Sequence, residues 1–342
     1  NITPLVNNLQ TGPVKIVHDN SVIATQRVLW GNSFNEFSGI PADTLTDDYY
    51  FTWNDTKSGN YAWTLIGVPE DAGSAANVEL YIQDMDTPKW TAIIQPGEAK
   101  TPLITGIQSG PVRVKSTNAV NFYTTQRVIW GGAFNEFAGI PANNLTDDYY
   151  FTWNDTKSGN YAWTLVGVPE DAGGAATIEI YIEDMDTPKW VEQVAPGEAK
   201  TPLIPGIQSG PVRVVSTNNV DFYTTQRVIW GGSFNEFAGI PADTLTNDYY
   251  FTWNDTKSGN YAWTLIGVPG NAVNPAEVEL YIQDMDTPKW TSTIQPGEAK
   301  TPMISDIQSG PVRVKSTNAV NFYTTQRVIW GGSFNELAGI KP

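Results

Sequence analysis

The chain of 342 residues carries 20 basic against 36 acidic side chains, a net charge of −16, and has no cysteine. That balance repels phosphate and so excludes nucleic acid and anionic membrane as partners, while the lack of thiols excludes disulfide scaffolds and thiolate metal centres. A single histidine leaves little for nucleophile–base triads or zinc chemistry, and no enzyme is expected.

No apolar run reaches the ~18 residues of a membrane-spanning helix. The start, Asn1-Ile2-Thr3-Pro4, lacks a charged segment followed by an apolar one, so an exported protein would already have lost its signal. Trp, Tyr, Thr and Val dominate the periodic runs, which is β composition.

Residues 1–40 predict three strands, at 4–6, 14–17 (after a Gly12-Pro13 turn) and 22–30, closed by 34–37. The next unit predicts strands at 49–53, 61–68, 78–82 and 90–94. Between them lie an Ile40-Pro41-Ala42-Asp43-Thr44-Leu45-Thr46 linker, a 54–60 loop and turns at 84–89 and Pro96-Gly97-Glu98. Turn signals every eight to twelve residues or so, without a helical period, are the pattern of an antiparallel sandwich.

The segment 126–137, Gln-Arg-Val-Ile-Trp-Gly-Gly-Ala-Phe-Asn-Glu-Phe, returns at Gln26, Gln226 and Gln326, four copies 100 residues apart. Gly131-Gly132 between two β-rich runs suits a two-residue I′ or II′ hairpin turn. That register sets Trp130 opposite Ala133, Ile129 opposite Phe134, Val128 opposite Asn135 and Arg127 opposite Glu136. The pairs Arg27/Glu36, Arg127/Glu136, Arg227/Glu236 and Arg327/Glu336 therefore read as register devices of the assembly, each an exposed contact of ~0.2–1 kcal/mol.

Seven half-units result, four of the Gly-Pro-Val…Gln-Arg-Val type and three of the Tyr-Tyr-Phe-Thr-Trp type. One phase gives domains at about 1–100, 101–200 and 201–300. The preferred phase gives an orphan half-unit at 1–40 and sandwiches at 47–140, 147–240 and 247–342. The orphan's apolar faces cannot be buried by half a sandwich. They are expected to pack on the next domain, on upstream residues or on another copy.

The order Tyr-Tyr-Phe-Thr-Trp, Thr-Leu-Ile-Gly-Val-Pro, an Ala/Val-rich strand, Ile-Gln-Pro-Gly-Glu, Gly-Pro-Val-Arg-Val-Lys-Ser and Gln-Arg-Val-Ile-Trp resembles the tandem immunoglobulin-like β-sandwich repeats of bacterial surface proteins. The resemblance covers nearly the whole chain and carries no catalytic residues. It implies an all-β fold of tandem antiparallel Ig-like sandwiches in a linear array, acting as a stalk, fibre or surface-layer component.

Other constellations are read against plainer alternatives. Asp84/Asp86, Asp184/Asp186 and Asp284/Asp286 place alternate carboxylates in a loop, which suits Ca²⁺, although surface aspartates are common; no other cofactor is expected. Trp53, Trp63, Trp90, Tyr49, Tyr50 and Tyr61 have the shape to stack on sugars, but without disulfides large aromatics are first of all core material. Asn54, Asn154 and Asn254 in the loop, with Asn1 and Asn144, head Asn-x-Thr glycosylation tripeptides, whose recurrence duplication alone explains.

The expected role is a structural extracellular or cell-surface repeat protein, a rod or self-assembling filament, whose orphan half-unit mediates head-to-tail self-contact through edge strands. The alternative is a multivalent carbohydrate-binding adhesin, with glycans as partners. Neither nucleic acid nor membrane insertion is expected.

Overall fold

The structure, a computed structural model, describes residues 2–6 and 12–342. Among these residues it is all-β, with antiparallel strands in tandem units and only three short 3-10 turns. Strands β1 (Thr25–Trp30) and β2 (Ser33–Ser38) form the first hairpin. The first complete unit follows with β3 (Asp48–Phe51), β4 (Asn54–Asp55), β5 (Tyr61–Gly67), β6 (Ala76–Ile82), β7 (Trp90–Ile94), β8 (Ala99–Lys100), β9 (Gln108–Ser109), β10 (Val112–Ser116), β11 (Tyr123–Trp130), β12 (Ala133–Ala138) and β13 (Ile140–Pro141).

One sheet has the order β13-β3-β10-β6-β7 and the other β12-β11-β5-β8. A shared core of Tyr49, Phe51, Ile66, Val78, Leu80, Val112, Val114, Val128 and Phe137 joins them into a sandwich. Strand alternation does the sorting: Ala76, Val78, Leu80 and Ile82 point inward from β6, and Asn77, Glu79 and Tyr81 lie between them on the more exposed face. The pairings recur between 148 and 241 and between 248 and 338. Each sandwich thus combines a front half-unit (47–100 in the first) with the back half-unit that follows it.

The β11–β12 turn holds Gly131 at φ +57° and Gly132 at φ +87°, the left-handed pair that a type I′ hairpin requires. Trp130 lies opposite Ala133, Val128 opposite Asn135 and Arg127 opposite Glu136.

Four segments depart from expectation. Residues 4–6 and 14–17 form no strand, and β1 begins only at Thr25. The counterpart of 14–17 is β10, which is held between β3 and β6, and among the described residues the first half-unit has neither partner. Ile40 and Pro41 of the expected linker form no strand, but its second copy contributes β13, where Ile140 and Pro141 pair with Tyr50 and Tyr49 before a 3-10 turn. The expected 54–60 loop opens as β4, paired with β9, and Asp55 Oδ2 accepts hydrogen bonds from the Asn60 and Gln108 amides at 3.1 Å.

The tandem units do not run in a line. The first hairpin packs against the last, so the four hairpins close a ring.

Candidate functional site

The ring is built from the recurring hairpin. Because Trp130 and Phe134 occupy adjacent cross-strand pairs, they project from opposite faces. Trp30 meets Phe134, Trp130 meets Phe234, Trp230 meets Phe334 and Trp330 meets Phe34, with centroid separations of 5.9, 6.1, 6.1 and 5.9 Å. A contact that joins one face to the other gives an open filament unless its rotation closes. Here it closes after four steps.

At the centre four asparagines, all buried, bond to one another. Asn35 Nδ2 donates to Asn135 Oδ1 at 2.9 Å and to Asn335 Oδ1 at 2.7 Å, and Asn235 Nδ2 donates to Asn135 Oδ1 at 2.6 Å. The remaining amide capacity goes to neighbouring backbone: Asn135 Nδ2 to Glu236 O at 3.0 Å, and Asn335 Nδ2 to Glu36 O at 3.0 Å. A buried polar set satisfied in this way fixes one arrangement, since a rotated hairpin leaves amides unpaired.

Each Arg–Glu pair sits beside this centre. Arg227 Nη2 lies 2.6 Å from Glu236 Oε2, and that carboxylate is wholly buried. The pair is therefore not the exposed contact expected from the sequence. Thr225 donates to Glu236 Oε1 at 2.8 Å, and Thr52 of the first sandwich donates to the same oxygen at 3.2 Å. Thr152 serves Glu336 likewise at 3.2 Å, and Thr252 serves Glu36 at 2.9 Å.

Further out, Tyr50 stacks on Tyr223 and Tyr150 on Tyr323, both at 4.6 Å. The Tyr223 ring also covers Gly167, where an added methyl would fall 2.4 Å from it. Arg113 is clasped by Asp48 of its own sandwich and Glu170 of the next, with its guanidinium over the Tyr50 ring. Burial, the largest cause, pushes the phenols of Tyr49, Tyr150 and Tyr249 up to about 12. The amides of Gln126 and Gln226 are buried in the sandwiches without a protein hydrogen-bond partner. On the axis the four turns line a shallow opening made of Gly131-Gly132, Gly231-Gly232, Gly331-Gly332 and Asn32-Ser33, which offers backbone and no charged side chain.

The structure places the other sequence candidates as follows. Asp84 Oδ1 accepts from the backbone N–H of Asp86 at 3.0 Å and of Thr87 at 3.3 Å, and these turn contacts, the Asp86 amide first, hold its carboxyl below the usual range. Asp184 and Asp284 accept the Asp186 and Asp286 amides at 2.9 Å. Among the described residues no group of three His, Cys, Asp or Glu side chains is arranged to hold a metal ion. Asn54, Asn154 and Asn254 are buried in strands rather than displayed in a loop, and their amides donate to the carbonyls of Ile107, Ile207 and Ile307. Asn144 is exposed in a 3-10 turn, and Asn1 lies outside the described residues.

Of the aromatics, Tyr49 and Tyr50 are core, while Trp53, Trp63 and Trp90 are half-buried. Tyr61 is 44% exposed and stacks on Trp63 at 5.3 Å, an arrangement repeated at Tyr161/Trp163 and Tyr261/Trp263.

Sequence reasoning missed the asparagine centre and the Trp–Phe seams. The available signal was the asparagine itself, a residue disfavoured in strands yet present in the middle of all four copies. No helix among the described residues is long and apolar enough to cross a membrane. Comparison with protein families, curated proteins and solved structures finds no match to this chain.

Proposed function

We propose that the chain is a structural, non-catalytic component of an extracellular or cell-surface assembly, a self-closed β ring that holds its loops at fixed positions. The observation that carries the reading is closure: Trp330 meets Phe34, and Asn35 bonds to both Asn135 and Asn335. Duplicated residues are consumed in building one rigid body, and the distinctive polar groups act on each other. The resemblance to tandem surface repeats and the acidic charge agree with an exterior location. Head-to-tail filaments, the other assembly open to such a chain, would have to use the exposed stretch before β1, because Phe34 and Asn35 are already engaged.

Labelling the protein in its source cells, together with electron microscopy of the purified chain with and without chelator, tests this. An ordered surface coat and discrete rings are expected. Label confined to the cell interior overturns the location, and filaments with an axial repeat of one subunit replace the ring by a head-to-tail polymer.

One observation favours a second reading, the multivalent glycan-binding adhesin. The exposed Tyr61–Trp63 platform is present in each of the three sandwiches, and linked weak sites gain avidity. Retention on polysaccharide columns, abolished by Tyr61→Ala with Tyr161→Ala and Tyr261→Ala, would support it. No retention at millimolar sugar would dismiss it.

A further inference from the structure

The ring has four hairpins but three front half-units, and the contacts show where a fourth would sit. Each front half-unit does two things. It completes a core with the back half-unit that follows it, and it reaches into the hairpin of the next sandwich. Thr52 thus serves Thr225 and Glu236, Thr152 serves Thr325 and Glu336, and Thr252 serves Thr25 and Glu36. Among the described residues the remaining pair, Thr125 and Glu136, receives no threonine from another unit.

The same gap appears in the aromatics. Tyr223 and Tyr323 are fully buried under Tyr50 and Tyr150, whereas Tyr123 is half-buried with no ring stacked on it among the described residues. It appears a third time in the first half-unit. Val112 and Val114 are 0% exposed between β3 and β6, while their counterparts Val14 and Ile16 are 71% and 61% exposed. Lys15, the counterpart of Arg113, already pairs with Asp71 of the first sandwich at 3.3 Å, as Arg113 pairs with Glu170 of the second. The first half-unit is therefore seated in its ring position, with one flank that no described residue covers.

We infer that this fourth position takes a fourth front half-unit, of the Tyr-Tyr-Phe-Thr-Trp type and joined ahead of Ile2. It would pair with residues 14–17 and insert its threonine beside Thr125 and Glu136. The connection follows from the repeat: Thr3-Pro4-Leu5 matches Thr101-Pro102-Leu103, the residues that directly follow a front half-unit. A second copy of the chain is the poorer donor, because all three of its front half-units are already paired within its own sandwiches. The apolar stretch and Lys15 match the occupant's chemistry, an apolar strand pair with a carboxylate in the place of Asp48.

The test replaces Asn1-Ile2 of the full chain with a copy of residues 147–200, so that the added Lys200 leads directly into Thr3 as it leads into Thr201. Hydrogen exchange at 14–17 is expected to slow by at least ~100-fold, toward the protection of core strands, while exchange across Val112–Ser116 stays unchanged. Unaltered exchange at 14–17 in an extended chain whose other units are folded overturns the inference. So does a concentration-dependent dimer of the unextended chain that protects the same amides.

A second measurement uses the absence of native cysteine. Thr125→Cys is combined with cysteine at the added threonine, and Thr152→Cys with Thr325→Cys serves as the positive control. Oxidation to the extent of the control supports the seating. No cross-link where the control closes refutes it.

Discussion

The first half-unit contains both a deeply buried stretch and a largely exposed one. From Phe34 to Glu36 it is locked into the ring, whereas Val14, Ile16, Val17 and Val22 stand in solvent. Their sequences do not explain the difference, since Val14 and Ile16 match two of the most completely buried positions in the molecule, Val112 and Val114. Burying such a side chain is worth ~1.5–3 kcal/mol, but only where flanking strands exist to cover it. The hairpin finds its cover in other hairpins of the ring, and residues 12–24 depend on a front half-unit.

The comparison is broken most severely at the ring. Glu236→Ala leaves Arg227 facing an empty, dry site, and loss of one member of a buried pair costs ~3–5 kcal/mol. Chemical denaturation should register that drop. Glu136→Ala should lose less, because the Arg127 side chain is 31% exposed against 11% for Arg227. Equal losses at the two sites would contradict the difference in cover.

Phe34→Ala attacks the seam itself. It removes the Trp330 contact and a wholly buried ring, at ~3–5 kcal/mol for such truncations. Hydrogen exchange should then accelerate first in β1 and β2, with the first sandwich keeping its protection. Acceleration in β10 before β2 would mean that the seam does not close the ring.

Much of the fold was legible because its information is local. Gly131-Gly132 dictates a I′ turn, and the turn dictates the Arg127–Glu136 register. What lay beyond reach was set by contacts between residues far apart in the chain. Whether Asn135 meets water or two other asparagines depends on the angle between units, which no strand period encodes. The same applies to Asn54, whose loop-like Asn-Asp-Thr-Lys-Ser-Gly-Asn context gave no warning that Ser109 would pair with it. Burial of Glu136 was hidden for the same reason: cross-strand register predicts its arginine but not the neighbouring hairpin that excludes water.

Alkaline pH probes the buried phenols of the sandwich cores, Tyr49 and Tyr249, and of the seam between the second and third sandwiches, Tyr150. Tyr49, Tyr150 and Tyr249 have folded-state values raised to about 12 from 10.0. The folded state therefore binds these protons more tightly than the unfolded chain does. Their contribution is fully present below pH 10 and is lost as pH rises from there toward 12. Tyrosinate absorbance should lag behind that of free tyrosine until circular dichroism reports loss of the sheets, and early ionisation within an intact fold would show these phenols to be open to water.

The smallest effect is expected where the sequence pattern alone would place a large one. Val14→Asp puts a charge at a position whose counterpart, Val112, is part of a sandwich core, and the same change there would leave an unpaired carboxylate buried. At residue 14 the side chain already faces solvent, so stability should stay within ~0.5 kcal/mol of the parent. Measured beside Val112→Asp, the pair isolates what a front half-unit contributes, because the two valines differ in their cover and hardly in their sequence surroundings. A loss at Val14 comparable with that at Val112 would mean that something already covers residues 12–24, and the comparison between the two flanks of the ring would then have to be drawn again from that contact.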